Sequence, residues 1–324
     1  MTIKKVVFNI KTNIFSLEIL HKFYYLFQFT SEFALLIWTI FVTILQCSFK
    51  KFRIPLEKSV EGDVVLIIGS GHGIGKELAL QYADLGATVV CVDINSNTNK
   101  NTVTEIKKKG KVAFGYQCDV TKRNKVFQTI EKIQKEVGEI SILINSAGFL
   151  NCQAIVDCKG EEIQKTIDVN LMSHFWVLQS VLPTMLKNNR GHVVAVSSSQ
   201  ALTGAGNLIP YSSCQFAVRG LMESIRREIS ENGDKKIQFT TILPCVVDTR
   251  LHKNYSTKVP SLTKITSPSE AAAAIISAQK RDEIETSIPY QYLTISSLTK
   301  LLPVKAETLW HDFMGVRYEP DTEK

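Results

Sequence analysis

The 324-residue chain has no Cys-x-x-C pair among its seven cysteines and no His, Cys, Asp or Glu spacing suited to a metal ion. An odd cysteine count without pairing motifs fits a reducing compartment and buried thiols, and argues against a disulfide framework or a zinc site. There is no P-loop: Gly75-Lys76 is followed by Glu77 rather than Ser or Thr, and position 70 is Ser where that motif needs Gly. Internal repeats and low-complexity tracts are also missing. Net charge is scarce over most of the length. The total is +7, but residues 1–60 carry eight Lys or Arg against three Glu, leaving +2 for the other 264. That distribution speaks against a nucleic-acid groove and suits an N-terminal segment at a membrane surface. With 44% apolar and 21% charged residues, the chain has the composition of an ordinary globular protein. It is long enough for one large α/β domain with an appendage, or for two small domains.

What is present begins with a long apolar run. Phe33-Ala-Leu-Leu-Ile-Trp-Thr-Ile-Phe-Val-Thr-Ile-Leu45 lacks amphipathic relief, extends to Phe49 at its longest, and is followed by Lys50, Lys51 and Arg53. Seventeen residues is the lower edge for a spanning helix, so spanning and monotopic insertion both remain open. No small-residue cleavage site follows the run, which disfavours a removed signal peptide. Upstream, Phe8, Phe15, Phe23, Tyr24, Tyr25, Phe27 and Phe29 form an interface-seeking lead-in. The pattern predicts a membrane-anchoring segment over residues 1–53, with the basic cluster keeping the following domain in the cytosol.

The body of the chain is organised around Val64-Val-Leu-Ile-Ile68 and the glycines Gly69, Gly71, Gly73 and Gly75 that follow it. A continuous apolar run reads as a strand buried on both faces. After the glycines the period becomes helical, with Leu78, Tyr82 and Leu85 on one face. Strand, glycine turn and helix start aim backbone N–H groups and a positive helix end at whatever lies over the turn, normally a pyrophosphate. A second strand, Thr88–Val92, ends in Asp93, eighteen residues past Gly75, where an acid can meet a ribose hydroxyl. Further strands are predicted over 111–117, 140–144, 192–196 and 237–243. Residues 95–101 read as a polar loop. Helices are expected over 102–109, 122–137, 161–188 with a break near Pro183, and 211–232. Strands alternating with helices in this way mean a doubly wound parallel sheet of Rossmann type, in one domain over residues 54–290. Asp93, Asp119, Asn145 and Ser198 all fall at strand carboxyl ends, where such sheets bind ligands. His174 and His192 read as structural.

The order glycine turn, strand-end acid, Asn145-Ser-Ala-Gly148, helical Asn170, strand-end Ser198 and Tyr211 thirteen residues later resembles the short-chain dehydrogenase/reductase family. The resemblance covers roughly residues 60–290. The hydrophobic N-terminus, Gly71-His-Gly-Ile-Gly75, Leu302-Pro-Val-Lys-Ala306 and Asp312-Phe-Met-Gly-Val316 are similar to its membrane-bound branch of retinol and 17β-hydroxysteroid dehydrogenases. The resemblance implies that Gly69, Gly73, Ile74 and Gly75 hold the pyrophosphate of NAD, Asp93 the adenosine ribose, and Asp119 with Val120 the adenine. Asn145 and Gly148 are expected along the cofactor floor and Thr249 at the nicotinamide amide. Ser198 would bond the substrate oxygen, Tyr211 would exchange its proton, and Asn170 would hold a relay water or stand as a satisfied core amide. NAD is expected rather than NADP, because the Asp93 carboxylate repels a 2′-phosphate. The resemblance also implies a homodimer, a lipophilic substrate, and an endoplasmic-reticulum or lipid-droplet surface.

One departure touches the chemistry. A tyrosine near its ordinary pKa of about 10 is a poor base at neutral pH. The family therefore places a lysine four residues on; this chain reads Tyr211-Ser-Ser-Cys-Gln215, and an amide carries no charge. Arg219, one turn further along, is a candidate replacement. Ile68 stands where the family has Thr, Ser146 where it often has Asn, and Cys245 where Gly usually follows the Pro. The sequence thus supports a membrane-associated oxidoreductase for a lipid alcohol or ketone, or a catalytically impaired dinucleotide-binding protein of the same surface. Residues 251–266 fall where the family carries its substrate lid. Residues 291–324 form a C-terminal extension, of which 298–316 is amphipathic.

Overall fold

The computed structural model describes residues 21, 24–43, 45, 57–233, 236–249, 255–259 and 265–320. The chain divides into two units, Met1–Leu56 and Glu57–Lys324. In the first, helix α1 spans Tyr24–Thr43, 20 residues with none of its apolar window buried within the chain. At 1.5 Å per residue that is about 30 Å, long and apolar enough to cross a membrane. The helix begins nine residues ahead of the apolar run read from sequence, because Tyr24, Tyr25, Phe27 and Phe29 join it. Phe8, Phe15, Phe23, Lys50, Lys51 and Arg53 lie outside the described residues.

The second unit runs β1 (Val64–Ile68), α2 (Gly73–Asp84), β2 (Thr88–Asp93), α3 (Ser96–Lys108), β3 (Ala113–Gln117), α4 (Arg123–Glu136) and β4 (Ile142–Asn145). There follow α5 (Gly160–Ile167), a π turn (Asp168–Met172), α6 (Ser173–Lys187), β5 (Gly191–Val196), α7 (Ile209–Glu231) and β6 (Ile237–Pro244). The last stretch comprises β7 (Tyr255–Ser256), α8 (Pro268–Lys280), β8 (Glu285–Ile288), α9 (Gln291–Thr299), α10 (Val304–Met314) and β9 (Arg317–Tyr318). Seven strands form one parallel sheet in the order β3-β2-β1-β4-β5-β6-β8. Strand order reverses between β1 and β4, so ligand space is expected beyond their carboxyl ends.

Period-two alternation in β1 divides the core. Val65 and Ile67 pack with Val89 and Cys91 against Leu78 and Tyr82 of α2, Val103 and Ile106 of α3, and Ile275 of α8. Leu66 and Ile68 pack with Val90 and Val92 against Ile130 and Ile133 of α4, Val177 and Val181 of α6, and Val218 of α7. Each such side chain contributes about 1.5–3 kcal/mol on full burial. A strand covered on both faces has no polar side to alternate with, which is why β1 reads as an unbroken apolar run.

Three sequence expectations change. Residues 96–101 belong to α3 rather than to a loop: the Asn95 side chain caps the helix by accepting from the N–H groups of Asn97 and Thr98. Its buried face includes polar Asn99 and Thr102, so apolar periodicity starts late. The helical stretch 161–188 is interrupted by the π turn at Asp168–Met172, whereas Pro183 sits inside α6. A seventh sheet strand, β8, follows α8, whose start carries a capping box between Ser267 and Glu270.

Asn99 ties β2, β3 and the glycine turn together. Its Nδ2 donates to the carbonyls of Cys91 and Tyr116, both at 3.0 Å, and its Oδ1 accepts from Ser70 Oγ at 2.9 Å. Replacing it by leucine strands these buried groups, and Asn99→Leu is expected to cost about 2–4 kcal/mol in chemical unfolding of the detergent-solubilised chain. A loss below about 1 kcal/mol would show that the amide is not what holds the turn.

Candidate active site

The glycine turn between β1 and α2 is built backbone against backbone. Gly69 has φ +86°, a left-handed conformation, and a Cβ there would lie 2.8 Å from the main chain of Ala147. A Cβ on Gly75 would run into the carbonyl of Gly69. Side chains are thus excluded on both sides of the turn. The N-terminus of α2 carries no capping side-chain bond at His72 and no acidic residue in its first turn. Its N–H groups and positive dipole end therefore remain available to an anion. This cradle, with Cβ atoms excluded at Gly69 and Gly75 and no acidic residue in the first turn of α2, fits the phosphates of a dinucleotide.

Asp93 closes the other side of the turn. Its Oδ2 accepts from the Gly71 N–H and its Oδ1 from the Asn95 N–H, both at 2.8 Å. A cavity of about 760 Å³ extends from this point. Gly69, Gly73, Ile74, Gly75, Asp93, Asp119, Val120 and Gly148 all line it, as do Asn170, Ser198, Tyr211, Gln215 and Thr249. Asp119 is held by its own turn, accepting from the N–H and hydroxyl of Thr121. Asn145 is the exception. It is buried at the end of β4 with Nδ2 3.4 Å from His174 Nδ1, and it does not line the cavity. His174 does line it, and burial lowers its pKa to about 4, so the ring is neutral at pH 7.

The reactive end of the cavity joins two elements. Ser198 leaves β5 and opens a short turn, with Oγ accepting from the Gln200 N–H at 3.3 Å. Tyr211 lies in the first turn of α7, which starts at Ile209 with Pro210 behind it. Its phenol is hydrogen-bonded to Ser198. Burial pushes that phenol up to about 12, and the Ser198 bond offsets only part of the rise. Among the described residues, no cation lowers it. Gln215, one turn along α7, is buried, and its Oε1 accepts from Ser197 Oγ at 2.8 Å. That bond fixes the amide and leaves Nε2 as the end able to donate.

One sequence expectation ends differently here, and one left between two alternatives can be described by its bonds. Arg219 does not reach toward Tyr211. Its guanidinium pairs with Glu285 of β8, Nη2 to Oε2 at 2.9 Å, in a small separate pocket beside Phe239 and Ile284. The carboxylate is nearer than the cavity, and the ion pair takes the charge. Asn170, in the π turn, makes three side-chain bonds: Nδ2 donates to the carbonyls of Phe149 and Thr166, and Oδ1 accepts from the Phe149 N–H. The amide therefore braces the segment after Gly148.

Some lining residues gave no signal in sequence. Ser197 as the partner of Gln215 depends on β5 and α7 meeting side by side. Lys165 lies with Nζ 4.1 Å from the Phe149 ring centre and lines the cavity, but a lysine on a polar helix face looks like any solvated charge.

The family description "short chain dehydrogenase" matches residues 63–260. Epidermal retinol dehydrogenase 2 of Mus musculus is 36% identical over 260 residues, covering 80% of this chain and 84% of that protein. The 17-beta-hydroxysteroid dehydrogenase 13 of Homo sapiens is 32% identical over 289 residues, covering 89% and 95%. A solved 7 alpha-hydroxysteroid dehydrogenase, complexed with NADH and 7-oxo glycochenodeoxycholic acid, superposes with a TM-score of 0.63 at 27% identity. It covers 68% of this chain and 88% of its own. A family match running from the strand before the glycine turn past the sixth strand, with relatives above 30% identity over most of its length, places the chain in the short-chain dehydrogenase/reductase family of oxidoreductases.

Proposed function

We propose that the chain exchanges hydride between NAD(H) and a lipophilic alcohol or ketone of the retinoid or steroid kind, at a membrane or lipid-droplet surface facing the cytosol. The observation that carries this reading is one cavity running from the glycine turn to Ser198, Tyr211 and Gln215. The names of the relatives supply the substrate class, and the NADH of the solved neighbour supports a nicotinamide dinucleotide. The apolar α1 supports the membrane. Asp93 supports NAD over NADP, because a 2′-phosphate would meet a carboxylate already fixed by two backbone N–H groups.

A nicotinamide bound in the cavity supplies the hydride exchange. The chain's residues handle the oxygen. Ser198 holds it by a hydrogen bond and Tyr211 passes the proton. A phenol pushed up to about 12 is protonated at neutral pH. It is then in the right state to give a proton to a carbonyl under reduction. To take one from an alcohol it must first ionise, and Gln215 offers a dipole rather than a charge. Reduction is the favoured direction. The runner-up reading, a dinucleotide-binding surface protein with little turnover, draws on the same Gln215.

The pH dependence follows from the phenol. Oxidation needs the deprotonated form, so its rate is expected to climb about tenfold per pH unit between about pH 7 and pH 10. Gln215→Lys should move that limb down by about one unit or more and raise the rate at neutral pH about tenfold. If NAD binds but neither wild type nor Gln215→Lys turns over a retinoid or steroid panel, the runner-up stands; if NAD does not bind, both readings fall.

Asp93→Ser should relax discrimination between NADH and NADPH by about tenfold or more, read from dissociation constants. An unchanged ratio would remove Asp93 from cofactor choice.

Deleting residues 1–53 should release the protein from membranes on fractionation. Persistence in the membrane pellet would put the anchor elsewhere in the chain.

A further inference from the structure

Twelve residues, 199–210, separate Ser198 from Tyr211. Little within that segment gives it a shape of its own. Gly204 and Gly206 are exposed, with open space where a Cβ would stand. Glycine gives up more backbone freedom on ordering than any other residue. Asn207 sits at φ +62°, a left-handed conformation that asparagine tolerates better than most residues. Yet Ser198 and Tyr211 are hydrogen-bonded to each other and both line the cavity. The two ends of the segment are therefore held in a fixed relation by something outside it. Packing of Leu202 on Tyr292 and Leu293 of α9 secures only its first half.

One residue near the end of the chain bonds to both ends of the segment. The phenol oxygen of Tyr318 accepts from Gln200 Nε2 at 3.0 Å, and its carbonyl accepts from Asn207 Nδ2 at 2.8 Å. Gln200 belongs to the short turn Ser199–Ala201, and its own N–H donates to Ser198 Oγ at 3.3 Å. On the other side, the Asn207 carbonyl accepts from the Gln153 N–H at 2.9 Å. The next carbonyl, of Leu208, opens α7 by accepting from the Ser212 N–H at 2.7 Å. Tyr318 is itself placed by the β7–β9 pairing, opposite Tyr255, and by Cys152 Sγ, which donates to the Glu319 carbonyl at 3.1 Å. Tyr318 is 7% exposed and Gln200 4%. The Oε1 of Gln200 is buried with no hydrogen-bond partner among the described residues, so the bond to the Tyr318 phenol is the one that orients this amide. A phenylalanine would fill the same space and leave the buried amide without that bond.

We propose that Tyr318 is a positioning residue for the Ser198–Tyr211 pair: through Gln200 and Asn207 it tethers both ends of residues 199–210, and so fixes the relation in which the two hydroxyls meet the substrate oxygen. The inference rests on the reading that Ser198 and Tyr211 handle that oxygen. Tyr318 acts through its two partners and needs no contact with substrate. Of the described residues 199–210, none lines the cavity, so the tether bears on the reacting hydroxyls and not on the cofactor cradle. Rate is steeply sensitive to such placement, a shift of about 1 Å being enough to cost about a hundredfold. Loss of the tether therefore shows in turnover while cofactor affinity stays.

The test uses the full chain in detergent with NADH and all-trans-retinal, rates being normalised to the fraction of protein that binds NADH. Tyr318→Phe keeps the ring and the main-chain bond to Asn207. It is expected to lower kcat about tenfold with the KM for NADH within about twofold of wild type. Gln200→Met, which removes the same bond from the other side, should do likewise. The double variant should be no slower than the slower single one, because the two changes delete one interaction. Hydrogen exchange of the NADH complex, read by mass spectrometry, is the second measurement. Peptides from residues 199–210 are expected to exchange about tenfold faster in either variant, and those from residues 64–75 to keep the wild-type rate. Multiplied losses in the double variant, a fall in kcat matched by a fall in NADH affinity, or unchanged exchange over residues 199–210 each overturn the proposal. A wild-type chain that binds NADH but reduces no retinal counts against the functional reading alone, and the exchange measurement then decides the tether.

Discussion

The site depends on a glycine-rich backbone turn held mostly by groups outside it. What fixes Gly69 to Gly75 is the Asp93 carboxylate, which takes the Gly71 N–H with one oxygen and the Asn95 N–H with the other. The same contact joins the end of β2, the start of α3 and the glycine turn. Ser70 adds a second tie, donating to Asn99 Oδ1 and to the Val92 carbonyl. A charged acceptor bonding backbone N–H groups in a buried place is among the stronger hydrogen bonds available, about 1.5–3 kcal/mol each. Asp93 thus has a structural duty as well as the expected ribose contact. The two duties are compatible, because a carboxylate offers about four lone-pair directions.

Much of this arrangement was legible in the residues. β1, β2 and the order of the next four strands can be read because parallel strands covered on both faces produce short apolar runs, β3 at the sheet edge showing alternation instead, and because glycine turns and polar residues bound them. Their polar terminal residues then announce the ligand edge. Less could be read where polar groups do structural work. α3 hides its first turn behind Asn95, Asn97, Thr98 and Asn99, and only the three-dimensional partners of Asn99 show why an amide is buried there. Arg219 illustrates the opposite error. Helical spacing correctly placed it on the face of α7 that follows Gln215, but spacing is silent about Glu285 on β8, a strand with no strong pattern of its own. The π turn is similar. Pro183 is the visible breaker, yet the irregularity falls where Asn170 bonds both backbone groups of Phe149. The β7–β9 pair could not be read at all, since two-residue strands have no periodicity to detect.

Gln215 can be weighed by magnitude. Burial moves the Tyr211 phenol from 10.0 to about 12. One pKa unit is about 1.4 kcal/mol, so ionising this phenol costs about 3 kcal/mol more than ionising a solvated tyrosine. A single charge at about 4 Å, with an effective dielectric constant near 20, returns about 4 kcal/mol. A lysine at position 215 is therefore of the right size to cancel the burial penalty, while a neutral amide falls well short. The bond from Ser197 occupies the amide oxygen, so what Gln215 can offer is the partial charge of its Nε2 hydrogens and no more. The chain retains the polar contacts that order the helix and loses the charge that would ready the base. The proposal that this site favours giving a proton over collecting one rests on that difference.

The C-terminal segment joins an exposed apolar stretch to a buried one. At Tyr318 it is buried and fastened by hydrogen bonds to the loops on either side of the reacting centre. Only a few residues upstream, Leu298, Leu301, Leu302, Val304, Leu309 and Phe313 on and between α9 and α10 are all exposed. Isolated exposed apolar side chains need no explanation, but six within sixteen residues are a dense exposure that water penalises. Lys305 lies among them, while Lys300 is paired with Glu307, Nζ to Oε1 at 2.7 Å; apolar side chains beside a basic one are the mixture expected of an interfacial segment. This supports the membrane reading independently of α1, because it arises in the other unit of the chain. α10 leads directly through Gly315 into β9, so the exposed apolar stretch ends only a short turn before the buried tether at Tyr318.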